Sequence, residues 1–260
     1  SARPAAARGS RRAAPILVRQ LRGEIVESVH RGHVVRVDAA GRVTHVAGDP
    51  EVEVTLRSAV KPFALLALAE AGGFEAFGLT PPEIALMASS HSGEDLHVRT
   101  LLACGSGGAP LDPLTAARLA RDGEKAGAIR HMCSGYHAAM LLLARHGDWS
   151  LEDYWEPAHP TQVAVRAVVA RVFGTEPERL RLAVDNCGVQ TYGFPLAAIA
   201  RAFAFLADPD AIPAADPRRS LAPGLRVVRD AMTAHPELVG GTRDRLDTSL
   251  ARALPRRLVV

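Results

Sequence analysis

The distribution of apolar residues along the chain is the feature that most constrains its fold. Residues 32–54 alternate apolar and polar side chains, as half-buried antiparallel strands do, and two shorter apolar runs precede them from residue 16. Residues 94 to about 175 instead carry helical periodicity, and the apolar run Leu180–Val184 reads as a strand. This order predicts an α+β fold, with three or four antiparallel strands between about 16 and 55 and a largely helical middle.

Helix signals follow the strand region. Residues 58–72 are apolar on most sides, which predicts a buried helix that ends at Gly72-Gly73. Thr80-Pro81-Pro82-Glu83 has the cap, prolines and acid of a helix start. We predict further helices at 195–207 and 224–234, a loop between them at 208–223, and the start of a strand at 258–260.

A serine lies three residues before a lysine at the entrance to the first predicted helix. Ser58 and Lys61 would share one face of a helical turn, so the hydroxyl could meet the amine as nucleophile and base. Only two of the 31 basic residues are lysines, Lys61 and Lys125, and arginine cannot serve as a base in a protein. The alternative is that Ser58 only caps the helix and Lys61 is a solvated residue of its first turn.

Three polar turns contain further candidate catalytic or metal-binding side chains. Ser89–Glu94 combines hydroxyls, an imidazole and an acid, although it could also be an ordinary polar turn. Cys133 opens the turn before an apolar helix, and Cys187 lies in Asp185-Asn186-Cys187-Gly188 after an apolar strand. Cysteine is often a packing residue, whereas two thiols in polar turns also suit a zinc site. With Cys104 the chain has three cysteines and no export signal, which favours a reducing cytoplasm over a disulfide framework.

Charge and composition exclude several partners. The net charge is +3, but the four arginines among residues 1–14 account for +4, so the remainder carries −1 and gives no case for nucleic acid. No apolar run is long enough to span a membrane. We therefore predict a flexible tail or cloning remnant over residues 1–15, with a basic transit peptide as the alternative, and a single domain over 16–260.

Taken in order, six strings resemble one known family, the class 3 (Rhizobium etli-type) L-asparaginases of the asparaginase II family. The resemblance spans roughly residues 16–260. The strings are Glu27-Ser28-Val29-His30-Arg31-Gly32-His33, Arg57-Ser58-Ala59-Val60-Lys61-Pro62-Phe63, Ser90-His91-Ser92-Gly93-Glu94, Cys133-Ser134-Gly135-Tyr136-His137, Asp185-Asn186-Cys187-Gly188-Val189-Gln190-Thr191-Tyr192 and Met232-Thr233-Ala234-His235-Pro236.

The resemblance implies a fold similar to serine β-lactamases and penicillin-binding proteins. It also implies hydrolysis of L-asparagine to L-aspartate and ammonia by a cytoplasmic homodimer. Ser58 and Lys61 match the family's first Ser-Lys pair, and Ser90 matches the serine of the second. Asp185 matches a substrate-facing acid, and we expect Arg57 and His91 to contact substrate with it.

The resemblance also implies a zinc site, in which Cys133 and Cys187 match two thiolate ligands. Tyr136 stands where the family has a lysine ligand, and a buried phenol with a pKa of about 10 is a poor replacement. A further family cysteine near the site is missing, and Asp247 is the candidate for its place. These two departures argue against zinc, so the sequence leaves metal binding open.

A third departure lies at the end of the sequence. In the family, a strand similar to 258–260 leads into a segment whose lysine pairs with the second serine. Either the protein is naturally short, or the sequence is a fragment of a longer protein that lacks its C-terminal portion, and we expect the second.

Two rival functions remain. One is a β-lactamase-like amidase or esterase, because a fold does not fix its substrate. The other is a non-catalytic member of the same fold, which the Tyr136 change, the missing cysteine and the early end of the sequence favour. A soluble α+β domain without either activity is the remaining alternative.

Overall fold

The computed structural model describes residues 13–101, 112–125 and 127–254. Within them the strands form three small antiparallel sheets, ordered β1-β2, β3-β4 and β5-β7-β6. The strands are β1 (Ile16–Arg22), β2 (Ile25–Arg31), β3 (Val34–Val37), β4 (Val43–Ala47), β5 (Glu53–Thr55), β6 (Arg181–Val184) and β7 (Gln190–Pro195). Five strands lie between residues 16 and 55, all of which the structure describes, so the prediction of three or four was too low.

Helices make up most of the remaining chain, which confirms the α+β class. They are α1 (Lys61–Ala64), α2 (Leu66–Glu70), α3 (Gly73–Ala76), α4 (Pro81–Met87), α5 (Asp95–Thr100), α6 (Pro113–Arg121), α7 (Ser134–His146), α8 (Pro160–Phe173), α9 (Leu196–Ala207), α10 (Ala222–Ala234), α11 (Pro236–Val239) and α12 (Leu246–Ala253). The helix start predicted at Thr80–Glu83 is confirmed, and it forms a capping box in which the backbone N–H of Thr80 donates to the Glu83 carboxylate at 2.8 Å.

The predicted helix at 58–72 forms, but it is not continuous. Its first turn, Arg57–Val60, is a 3₁₀ turn that closes with a bond from the Lys61 N–H to the Ser58 carbonyl, and α1 and α2 follow. Pro62 has no N–H for the ladder, which is the physical reason for the irregular start. Phe63 at the centre of the core is fully buried, and its ring packs edge-on against Phe203 with centroids 5.1 Å apart.

The core lies between the helices. α4 packs against α7 and α10, and α1 packs against α8, so the apolar faces of these helices bury one another. A close approach fixes the contact of α4 with α7: a Cβ on Gly135 would lie 2.4 Å from the Leu86 carbonyl oxygen. Only glycine therefore lets the start of α7 reach the end of α4.

The sheet β5-β7-β6 brings distant segments together. β5 and β7 are antiparallel, with Thr55 opposite Gly193, and the Leu56 N–H continues the pairing to the Tyr192 carbonyl at 2.8 Å. The chain therefore leaves β5 at the end of the sheet where the β6–β7 loop turns. β7 was not predicted as a strand, because its residues were interpreted only as part of a motif.

Several predictions fall on residues that the structure does not describe. These are the tail at 1–12, Cys104 and the strand at 258–260. The division of the chain at residue 15 therefore stays a prediction. In the described ranges, no helix combines the length and the apolar character needed to cross a membrane.

Candidate active site

Lys61 is the centre of the candidate site. It lies in α1 with only 2% of its surface exposed, a rare environment for a lysine. Its Nζ atom lies 2.7 Å from the Ser90 Oγ and 2.7 Å from the Ser89 carbonyl oxygen. Burial lowers the pKa of Lys61, although the nearby Cys133 thiolate opposes this effect. The result is an amine beside a hydroxyl in a largely dry environment.

The expected hydrogen bond between Ser58 and Lys61 is not formed among the described residues; the lysine meets Ser90 instead. Ser58 is half-buried in the 3₁₀ turn, and its carbonyl accepts the backbone N–H of Lys61. The long lysine stem leads away from its own turn to acceptors in the Ser89–Ser90 loop. Ser58 and Lys61 are thus close in the sequence, but the serine hydroxyl that contacts the Lys61 amine is that of Ser90.

Two thiols flank the amine. Cys133, at the start of α7, has its Sγ atom 3.3 Å from Lys61 Nζ. A hydrogen bond from Cys187 and the charge of Lys61 lower the pKa of the Cys133 thiol. The same hydrogen bond raises the pKa of Cys187, so Cys133 is the thiol of the two that loses its proton more readily. The loop of Cys187 is thereby joined to α1 and α7.

An arginine and an aspartate meet beside these groups. The Arg57 guanidinium lies 2.9 Å from Asp185 Oδ1, and the Asn186 N–H donates to the same oxygen at 2.8 Å. The sheet explains this contact, because β5 ends next to the β6–β7 loop. Arg57 has a φ of +48°, a left-handed conformation that side chains other than glycine rarely adopt. Its side chain is 60% exposed and that of Asp185 is 12% exposed, so the pair faces solvent on one side.

His91 lies in the core, behind the loop that carries Ser90. Its ring is fully buried, and Nδ1 accepts the Gly93 N–H at 3.2 Å. The other nitrogen, Nε2, then carries the hydrogen and lies 2.9 Å from Ser134 Oγ. Burial holds the pKa of His91 well below its usual value. Solvent does not reach His91 in this structure, so its expected contact with substrate stays a prediction.

Four of the six sequence strings therefore meet in space. Arg57, Lys61, Ser90, Cys133 and the Asp185–Cys187 loop surround one region, joined by the contacts above. The profile of the L-asparaginase II family matches residues 18–260, nearly the whole chain. The chain belongs to the L-asparaginase II family. No curated protein matches the chain.

The zinc site implied by the resemblance fits these residues poorly. Tyr136, in the place of a ligand, is a neutral phenol: burial raises its pKa well above the usual value, and its hydroxyl has no hydrogen-bond partner among the described residues. The Lys61 Nζ atom lies 3.3 Å from Cys133 Sγ, on the side of the sulfur where a metal ion would have to bind. In the described parts of the chain, no three His, Cys, Asp or Glu side chains are grouped to hold a metal. Two thiols alone do not complete a tetrahedral zinc site.

Asp247 lies in the first turn of α12 and is held by its neighbours in the sequence. Its carboxylate pairs with Arg245 at 2.5 Å and accepts the Thr248 N–H at 2.8 Å. No described contact joins it to Lys61, Cys133 or Cys187, so its substitution for a family cysteine stays a prediction.

Sequence reasoning missed the direct contact of Lys61 with Cys133 and the role of Glu94 in holding the serine loop. Glu94 was visible in the sequence as the last residue of Ser90-His91-Ser92-Gly93-Glu94. Its partner, Thr242, is 148 positions away, and no local pattern indicates that pairing.

Proposed function

We propose that this protein hydrolyses the side-chain amide of L-asparagine to L-aspartate and ammonia by serine acyl transfer. The observation that carries the proposal is the 2.7 Å contact between Lys61 Nζ and Ser90 Oγ, in a member of the L-asparaginase II family. A buried amine with a lowered pKa beside a hydroxyl is the arrangement that activates a serine without histidine.

The proton transfers balance with Lys61 as the single shuttle. Neutral Lys61 takes the Ser90 hydroxyl proton as Oγ attacks the side-chain carbonyl carbon of asparagine. The resulting ammonium returns that proton to the leaving nitrogen as the C–N bond breaks, and ammonia departs. Water, deprotonated in turn by Lys61, then attacks the ester and releases aspartate, and the proton returns to Ser90 Oγ. General acid–base assistance of this kind contributes typically about 10²–10⁴-fold to the rate.

Ser58 is the second candidate nucleophile. It is half-buried, directly follows Arg57 and precedes Lys61 by one turn. No described contact gives its hydroxyl a base, which is why we propose Ser90 for the attack. Ser58 then has a supporting role next to the substrate.

Arg57 and Asp185 suit the two charged groups of an amino acid. The Asp185 carboxylate would accept hydrogen bonds from the substrate's α-ammonium, and the exposed Arg57 guanidinium would donate to its α-carboxylate. The existing ion pair keeps both charges in place before the substrate arrives. His91 supports the serine loop from behind, and it would act on the substrate only through that loop.

Three finer properties follow from the family resemblance and are part of the proposal. They are a fold similar to serine β-lactamases, assembly as a homodimer and a cytoplasmic location. The mixed helices and small antiparallel sheets are compatible with the first.

A substrate panel tests the proposal. Ammonia release from asparagine and glutamine is measured beside hydrolysis of nitrocefin and p-nitrophenyl esters. We expect asparagine to be the best substrate of the four. Turnover of nitrocefin or esters without ammonia release would identify the rival amidase or esterase, and inactivity on all four would favour a non-catalytic protein.

A further inference from the structure

The loop that carries Ser90 rests on a second segment of the chain, residues 238–242. The Ser92 N–H donates to the Gly240 carbonyl at 2.9 Å, and the Ser89 hydroxyl donates to the Leu238 carbonyl at 3.1 Å. Ser90 lies between these two anchors, so its position depends on this second segment.

Glu94 is the side chain that joins the two segments. It is 3% exposed, and its carboxylate accepts from the Ser92 hydroxyl at 2.7 Å and from the Thr242 N–H at 2.8 Å. The Thr242 hydroxyl makes a further short hydrogen bond to the other oxygen, and Arg243 lies 3.7 Å away. Burial alone would raise the pKa of Glu94, but the hydrogen bonds from Thr242 and Ser92 lower it overall. The carboxylate is therefore ionised and nearly saturated with donors.

The Ser90 loop and the 238–242 segment lie so close together that there is no room for a side chain at Gly241. Gly241 has a φ of +142°, and a Cβ added there would lie 2.2 Å from Ser92 Oγ and 2.6 Å from Glu94 Oε1. Glycine at this position is independent evidence that Glu94 and Ser92 are pressed against the second segment.

We propose that Glu94 is a positioning residue, which keeps the Ser90 hydroxyl at Lys61 by tying Ser92 to Thr242. Glu94 contacts neither Lys61 nor Ser90, so it acts through the turn of the loop. The inference rests on the proposed function, in which Ser90 is the nucleophile.

The main test replaces Glu94 with glutamine. Glu94→Gln keeps the volume but turns one acceptor oxygen into a donor, which faces the donors of Ser92 or Thr242. Misplacing a reacting group by about 1 Å can cost about 10²-fold in rate, and we expect kcat to fall by that order. KM for asparagine should change little, because Arg57 and Asp185 are not moved.

A second variant, Thr242→Val, removes the hydroxyl donor on the other side of the Glu94 contact. It tests the same contact if Glu94→Gln fails to fold. Its effect on kcat should be smaller, and the double variant should be non-additive, because both changes break one contact network. Asp216→Asn is the matched control. Asp216 is a partly buried acid paired with Arg218 that caps the 3₁₀ turn Pro217–Leu221, so its loss should lower stability without lowering kcat.

The outcomes separate this inference from the proposed function. Unchanged kcat in Glu94→Gln or in Thr242→Val, or an equal fall in the Asp216→Asn control, overturns the positioning role. If the wild-type protein releases no ammonia, the proposed function fails, and the variants are compared by the rate at which a fluorophosphonate probe labels Ser90. Slower labelling in Glu94→Gln supports the inference; equal labelling, or a wild-type Ser90 that the probe never labels, overturns it.

Discussion

Replacing Asp185 with asparagine tests how the substrate's charged end is recognised. The side chain is 12% exposed and already accepts Arg57 and the Asn186 N–H through Oδ1, so Oδ2 is the oxygen left for an α-ammonium. Hydrogen bonds to charged groups contribute about 1.5–3 kcal/mol. At 1.36 kcal/mol for each factor of ten, Asp185→Asn should lower kcat/KM for asparagine by about 10- to 150-fold.

The assay compares asparagine with succinamate, which has the same amide but no α-ammonium. Wild-type protein should prefer asparagine by about the factor above, and Asp185→Asn should lose most of that preference while its activity on succinamate changes little. Asp210→Asn, at an exposed acid paired with Arg226, is the control for removal of an ion-paired carboxylate. Equal losses on both substrates would refute the assignment of Asp185 to the ammonium.

Three further predictions follow from the same contacts. Purified protein dialysed in buffered zinc should hold well below one zinc per chain by mass spectrometry of its metals, because the described part of the chain gives Cys133 and Cys187 no further ligands; stoichiometric zinc would contradict this. Burial lowers the pKa of His137 from 6.5 to about 4, so the unfolded state binds more protons as pH falls and the fold loses stability. Between about pH 8 and about pH 5 the free energy of unfolding should fall by roughly 2 kcal/mol for this reason, and urea titrations should show no such fall in His137→Asn. If the free energies of unfolding of wild type and variant fall in parallel with pH, this prediction is wrong. Gly135→Ala should cost about 1–3 kcal/mol by overpacking against the Leu86 carbonyl, measured by thermal unfolding, and an unchanged melting temperature would count against the close contact.

Local features of the fold were predictable from sequence. The Thr80–Glu83 capping box, the end of the helical segment at Gly72 and the helix at Leu196–Ala207 each follow from residues close together in the chain. The strand β7 was not predicted. It pairs with β6, which is close in the sequence, and with β5, whose residues are more than 130 positions away and leave no local pattern.

The residues of the site were predictable, but their pairing was not. Lys61 and Ser58 share a turn, and spacing alone favours that pair. The packing of the core favours another pair, because α1 is buried and its amine reaches acceptors on the Ser89–Ser90 loop, at Met132 and at Cys133. The tie between Glu94 and Thr242 likewise depends on how α4 and α11 pack, which no local pattern records.

The most direct measurement of the central claim is the identity of the acylated residue. The protein is mixed with asparagine, quenched in acid within the first turnover and digested, and the peptides are analysed by mass spectrometry. We expect an aspartyl adduct on the peptide that contains Ser90, and none when Lys61 is replaced by methionine. An adduct on Ser58 instead would contradict it, and so would full ammonia release by Ser90→Ala.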